Sequence, residues 1–193
     1  MLRRNIKIKS SSRFPTVPNH YLERGPSPQH GMTSKAQTVF PAPDHDHGSC
    51  TSSALAHAER LCAARGQRLT QMRRQVLEAL LASHKPLGAY EIMDRLGSKR
   101  RPAPISVYRA LDFLRENGLV HRIESRNSFV ACVHSHAGND PIVFLICEQC
   151  GAVGEAPGGA ATDSLKASCR AAGFTPKSPV IEITGICSHC RQH

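Results

Sequence analysis

The sequence lacks any apolar run long enough to cross a membrane. Its longest, residues 142–147, has six residues, whereas a membrane-spanning helix needs about 18 or more. It also lacks the apolar stretch of a secretory signal, because the basic N-terminus is followed by Ser, Pro and Asn. We therefore expect no membrane association, no export and a cytoplasmic location.

Acidic residues are scarce, with 15 Asp and Glu against 25 Lys and Arg, which gives a net charge of +10. Such an excess favours a polyanionic partner, most commonly nucleic acid. The chain has eight cysteines, which in a reducing cytosol indicate metal or redox chemistry rather than a disulfide framework. Zinc-protease, esterase and zinc-deaminase signatures are absent from the sequence. We therefore predict that the chain is not an enzyme.

Charge and cysteine are unevenly distributed along the chain. Residues 1–50 have a net charge of +4, residues 51–125 of +6 and residues 126–193 of zero, and the last segment holds six of the eight cysteines. At about 100–200 residues per domain, 193 residues allow two small domains. The basic surface and the metal chemistry are therefore expected in different domains.

The predicted boundaries follow from this division and from the proline-rich start of the chain. We predict a disordered tail over residues 1–50, a DNA-binding domain with a hinge over 51–133 and an α/β domain over 134–193. Met32 is a candidate start codon, so we hypothesise that residues 1–31 are not translated.

Apolar periodicity predicts four helices and a hairpin in the basic domain. Ser52 or Ser53 is expected to cap the first helix, which Gly66 ends, and Thr70 to cap the second. The later elements are expected at 89–96, 105–117, 119–124 and 128–133. Helices followed by a hairpin predict a winged helix-turn-helix and an α+β chain overall.

A winged helix places its recognition helix in the major groove of DNA. Six residues of the basic domain are the predicted DNA contacts: Tyr90, Arg100, Arg101, Ser106, Tyr108 and Arg109. The alternative is that these are solvated charges and half-buried tyrosines, since helix-turn-helix units also make protein contacts. The local charge favours DNA binding.

Two Cys-x-x-Cys pairs, 147/150 and 187/190, are the strongest chemical signal in the sequence. Two such knuckles brought together form the closed tetrathiolate site of a structural zinc ion. We therefore predict that Cys147, Cys150, Cys187 and Cys190 bind zinc. Redox dithiols are the alternative.

A second group of ligand types straddles the predicted domain junction. It comprises His121, Cys132, His134, His136, Asp140 and Glu155. Mixed His, Cys and carboxylate donors suit Zn²⁺ better than Mg²⁺ or Ca²⁺. A metal bound there would fix the relative orientation of the two domains, as a sensor requires.

Four segments together resemble the ferric uptake regulator (Fur) family, and within it most closely the zinc uptake regulator (Zur) branch. They are Thr70-Gln-Met-Arg-Arg, Ala89-Tyr-Glu-Ile-Met, Ser106-Val-Tyr-Arg-Ala-Leu-Asp-Phe-Leu-Arg-Glu-Asn-Gly-Leu-Val-His and Phe144-Leu-Ile-Cys-Glu-Gln-Cys-Gly. The resemblance covers about residues 54–190. The iron and peroxide sensors have a His-x-Asp-His type motif before the first knuckle, and this sequence has none.

The resemblance implies a homodimer with an N-terminal winged-helix domain and a C-terminal α/β dimerisation domain. It implies structural zinc at the four paired cysteines and sensory zinc at His121, Cys132, Asp140 and Glu155. The third sensory position is normally His in zinc sensors, so His134 or His136 is the alternative to Asp140.

The function implied is repression of zinc uptake genes by a zinc-bound dimer on palindromic double-stranded operator DNA, with no small-molecule substrate other than zinc. The alternatives are an iron, manganese or peroxide sensor of the same family, a zinc-stapled dimerisation module, and a zinc enzyme.

Overall fold

The computed structural model describes residues 39–40, 47–82, 85–97, 101–132, 141–176 and 179–192. These ranges confirm the α+β prediction. The elements in chain order are α1 (His47–Ala64), α2 (Gln71–Leu81), α3 (Ala89–Leu96), α4 (Pro104–Glu116), β1 (Val120–Ile123), β2 (Ser128–Ala131), β3 (Ile142–Cys147), β4 (Val153–Pro157), α5 (Gly159–Ala171), β5 (Ile181–Gly185) and α6 (Ser188–Arg191).

Helices α1 to α4 pack around one apolar core. Each helix contributes the face that its periodicity predicts, as with Leu77 of α2, Ile92 of α3 and Leu111 of α4, none of which is more than 2% exposed. Burying a side chain of this size contributes about 1.5–3 kcal/mol. This core holds α4 rigidly and leaves its polar face outward.

Strands β1 and β2 form the antiparallel wing that follows α4. A short 3-10 helix over Glu124–Arg126 and then Asn127, with φ of 45°, make the turn between them. Asparagine is one of the few residues that adopt this left-handed conformation readily. Leu87, from the loop before α3, exchanges two backbone hydrogen bonds with Phe129 of β2. The wing is therefore attached to the helical core.

The C-terminal part is a three-stranded sheet in the order β4-β3-β5. Strand β3 pairs antiparallel with β4 and parallel with β5, and α5 provides the crossover that a parallel pair requires. A second apolar cluster joins the wing to this sheet through Ile123, Val130, Phe144, Ile146 and Val153. Ile142 packs against its edge.

The predicted start of the first helix is wrong. Helix α1 begins at His47, so Ser52 and Ser53 lie inside it as exposed residues rather than as its caps. The predicted tail boundary at residue 50 therefore falls within α1. Upstream of the helix, Val39 lies against Gly154 of β4.

Candidate metal centres

The four paired cysteines meet at one end of the three-stranded sheet. Cys147 is the last residue of β3, Cys150 lies in the turn that follows, Cys187 caps α6 and Cys190 lies within α6. Their sulfur atoms all lie within 4.8 Å of one another. Parallel pairing of β3 and β5 brings the two knuckles together, because both strands end at this edge.

Backbone hydrogen bonds shape the first knuckle for this arrangement. The Gly151 N–H donates to the Cys147 carbonyl at 3.0 Å, and Gly151 has a φ of 79°, which favours glycine. The Glu148 N–H donates to the Gly185 carbonyl at 2.9 Å, which ties this knuckle to the end of β5. The Cys187 N–H donates to the Cys147 sulfur at 3.4 Å.

The thiols of this site do not share one pKa. Hydrogen bonds from backbone N–H groups of Cys150 and Cys187 lower the pKa of Cys147 to about 6. Burial and the neighbouring sulfurs raise the pKa of Cys190 to about 12, and burial raises the pKa of Cys150. One thiolate is thus favoured while further ones are repelled, which is the condition that a bound divalent cation relieves.

The spacing of the sulfurs fits a tetrahedral metal. Donor atoms at zinc–ligand distances of about 2.0–2.3 Å are separated by roughly 3.3–3.8 Å from one another. The Cys150 and Cys187 sulfurs are 3.9 Å apart. The donor set therefore suits zinc.

A second cluster lies where the wing meets the sheet. His121 of β1, Cys132 just after β2 and Glu155 of β4 bring their donor atoms within 4.8 Å of one another. His121 Nε2 is 3.8 Å from Glu155 Oε1, and Cys132 Sγ is 3.7 Å from Glu155 Oε2. These separations also match a shared tetrahedral ion. We call this group the hinge cluster.

Burial supports a ligand role for the carboxylate of the hinge cluster. The Glu155 side chain is only 3% exposed, and a buried carboxylate is costly unless it is paired or bound to a metal. The His121 ring packs against Phe144 with centroids 5.3 Å apart, which fixes its orientation. The other predicted sensory residues, His134, His136 and Asp140, lie outside the described residues.

The predicted DNA contacts that the structure describes lie on α3, on α4 and in the segment before α4. Tyr108 and Arg109 of α4 and Tyr90 of α3 are exposed, and Ser106 is half-buried near the start of α4. Arg101 is exposed and forms an ion pair with Asp94 at 2.6 Å. Arg100 lies outside the described residues.

Ile105, which was not among the predicted DNA contacts, is also exposed on α4. It lies in the first turn of α4 and is 58% exposed. Two residues before the buried Val107, it points away from the inward face of the helix. The two-residue spacing from Val107 is the feature of the sequence that indicates this exposure.

Comparisons with known proteins identify relatives of this chain. The model of the ferric uptake regulator family matches residues 64–184. The zinc uptake regulation protein of Escherichia coli K12 is 38% identical over 141 residues, which are 72% of this chain and 82% of that protein. The protein of the same name from Shigella flexneri matches equally well.

Two solved structures share the arrangement of the chain. A zinc uptake regulator complexed with zinc and DNA is 37% identical, with a TM-score of 0.69 over 74% of this chain and 95% of that one. Holo XcZur is 40% identical, with a TM-score of 0.67 over 73% of this chain and 99% of that one. Among the described helices, none is long and apolar enough to span a membrane.

Proposed function

Because the chain belongs to the ferric uptake regulator family, we propose that it is a zinc-responsive transcriptional repressor. Its zinc-bound homodimer binds palindromic operator DNA and represses zinc uptake genes in the cytoplasm. The hinge cluster is the observation that carries this proposal, since it places nitrogen, sulfur and oxygen donors between the DNA-binding helices and the sheet. The family consists of transcription regulators, so the chain is not an enzyme.

The four paired cysteines form the structural zinc site. Bound there, zinc supplies the positive charge that keeps all four sulfurs deprotonated. Cys147 and Cys187 hold the ends of β3 and β5 together from a buried position, and Cys150 and Cys190 close the site from its half-buried side. Residues 134–193 form the dimerisation domain on this proposal, and residues 51–133 form the DNA-binding domain.

The hinge cluster forms the sensory site. His121, Cys132 and Glu155 supply three donors, and Asp140 is the proposed fourth, with His134 or His136 as its alternative. His121 lies on the wing and Cys132 directly follows it, whereas Glu155 lies on the sheet. Occupancy therefore restricts the movement of one part against the other, and apparent DNA affinity rises with the fraction of dimers in the competent geometry.

Helix α4 is the recognition helix. Tyr108 and Ile105 offer apolar and aromatic surface to base edges and thymine methyl groups, and Arg109 offers a cation to a phosphate or guanine. Tyr90, Arg100, Arg101 and Ser106 complete the proposed contact surface.

An iron, manganese or peroxide sensor of the same family is the second candidate. Cys132 argues against this candidate, because a thiolate is a soft ligand that suits zinc. A site for iron or manganese would be richer in oxygen and nitrogen donors. Operator binding measured against buffered free Zn²⁺, Fe²⁺ and Mn²⁺ decides between the two. We expect Zn²⁺ to activate at the lowest free concentration; activation by Fe²⁺ or Mn²⁺ below that concentration would overturn the proposal.

Zinc stoichiometry tests both sites together. We expect two zinc ions per monomer in the native chain and one in Cys132→Ser, with operator binding lost and the dimer retained. Cys169→Ser is the matched control, since Cys169 lies on α5 and belongs to neither cluster. If Cys132→Ser unfolds the protein or keeps two zinc ions, the hinge assignment is wrong.

A further inference from the structure

Glu182 of β5 joins the sheet directly to the tip of the wing. Its Oε1 accepts a hydrogen bond from the Glu124 N–H at 2.6 Å, and its Oε2 accepts one from the Ser125 N–H at 3.1 Å. One carboxylate thus binds two successive backbone N–H groups of the turn between β1 and β2. The contact bridges 57 and 58 residues of sequence.

The carboxylate is held in its ionised form. Burial acts to raise the pKa of Glu182, but hydrogen bonds from the Ser125 hydroxyl and from the two N–H groups outweigh it. Arg126, in the same turn, adds a favourable charge, and the pKa lies below its ordinary value. Hydrogen bonds to an ionised acceptor are shorter and stronger than neutral ones.

The position of Glu182 gives the contact a consequence for DNA binding. Among the described residues, the wing contacts the sheet at the hinge cluster at its base, at the apolar cluster in its middle and at Glu182 at its tip. A single attachment at the base would leave the wing free to rotate about it, whereas attachments at both ends do not. Over 74% of its length, this chain has a TM-score of 0.69 with a zinc uptake regulator complexed with zinc and DNA.

We propose that Glu182 is a positioning residue that fixes the winged helix against the sheet in the DNA-competent orientation. It belongs to neither metal cluster and acts through Glu124 and Ser125. The inference rests on the proposed function, since its consequence is measured as operator affinity. Zinc at the hinge and Glu182 at the tip then act on the same equilibrium between competent and other orientations.

The direction in which Glu182→Gln changes operator affinity distinguishes a positioning role from a simple effect of charge. Removing a negative charge from a DNA-binding protein strengthens its attraction to phosphates. Glu182→Gln also leaves one acceptor oxygen facing two N–H donors. If Glu182 positions the wing, the variant binds more weakly despite its more positive charge.

The test compares Glu182→Gln with Asp163→Asn, an exposed control on α5 that removes the same charge from the same part of the chain. Operator affinity of the full-length, zinc-saturated protein is measured by fluorescence anisotropy. We expect about a tenfold loss for Glu182→Gln, the order expected for one strong hydrogen bond, and no loss for Asp163→Asn. Both should keep the zinc content and dimer of the native chain.

Amide hydrogen exchange gives a readout that does not depend on DNA. Protection at Glu124 and Ser125 in the zinc-loaded protein should fall in Glu182→Gln and remain in Asp163→Asn. Unchanged or tighter operator binding by Glu182→Gln would overturn the positioning role, and unchanged protection would overturn the contact itself. If the native protein fails to bind operator at saturating zinc while exchange behaves as expected, the proposed function is wrong and the contact stands.

Discussion

Two adjacent glycines before and at the start of α5 show how closely the C-terminal sheet is packed. A Cβ atom on Gly158 would lie 2.9 Å from the Pro141 carbonyl oxygen and 3.2 Å from a Val143 methyl group. The Gly158 N–H donates to that same carbonyl at 2.8 Å, so the two segments cannot separate without losing the bond. A Cβ atom on Gly159 would meet nothing within 4 Å.

Gly158→Ala should therefore destabilise the protein by about 1–3 kcal/mol, as expected when a packed region is overfilled. Gly159→Ala should be neutral or stabilise by about 0.5–1 kcal/mol, because alanine suits a helix better than glycine. Thermal unfolding of the zinc-saturated variants measures the difference. Equal melting temperatures would contradict the packing at Gly158.

At this scale the sequence predicts the structural metal site better than the hinge. Pairs of cysteines two residues apart carry their own geometry, so the four sulfurs could be assigned to one site before any fold was known. His121, Cys132 and Glu155 have no such local spacing; they are grouped by ligand type and by their position near the domain junction, and the family resemblance narrows the group. Their proximity depends on the wing docking on the sheet, which no short stretch of sequence encodes.

Among the elements, those with strong local signals were predicted closely. Helix α3 has the predicted bounds, and α4 begins and ends one residue earlier than predicted. Strand β4 was not predicted, because Val153–Pro157 contains Gly and Pro and only one large apolar residue. It forms because β3 offers it a partner along its whole length. Whether such a segment forms a strand therefore depends on pairing with its neighbour more than on its own β-propensity.

The exposed face of α4 carries a prediction of its own. Arg109→Ala should weaken operator binding by about 1–3 kcal/mol if the guanidinium contacts a base, or reduce the salt slope by about one if it contacts a phosphate. Arg115→Ala is the matched control, because Arg115 lies in the last turn of the same helix and forms an ion pair with Asp112 at 3.8 Å.

Both variants remove one positive charge from α4, so a difference between them reports position rather than net charge. Electrophoretic mobility shift at several salt concentrations measures affinity and slope together. An equal loss for Arg109→Ala and Arg115→Ala would mean that α4 contributes only diffuse charge, and its role as recognition helix would then be wrong.

For the whole molecule, the two metal clusters differ in what they connect. The four paired cysteines lie at one end of the sheet and join β3 to the segment after β5, so on the proposed function their zinc stabilises that part of the fold. The hinge cluster connects the wing to β4, so on the proposed function its metal acts on the orientation of the wing against the sheet. On the proposed function, stability and regulation therefore depend on different metal sites.

Stepwise removal of zinc by chelators of increasing strength should separate the roles of the two metal clusters. Four thiolates form a closed site, whereas the hinge uses mixed donors that include a half-buried histidine and a half-buried cysteine. A weak chelator should therefore remove one zinc ion per monomer, with loss of operator binding and retention of the dimer. A stronger chelator should remove the second, with loss of the dimer and of C-terminal structure, because closed structural zinc sites contribute folding free energy directly.

Native mass spectrometry and operator binding, followed on the same chelator titration, measure both steps. Cys132→Ser should show only the second step, since its hinge is already lost. Cys187→Ser should show only the loss of the hinge zinc if it folds, and should otherwise be unfolded from the start. Dissociation of the native dimer together with the first zinc ion would show that orientation and assembly are coupled, and the separation argued from the two clusters would be wrong.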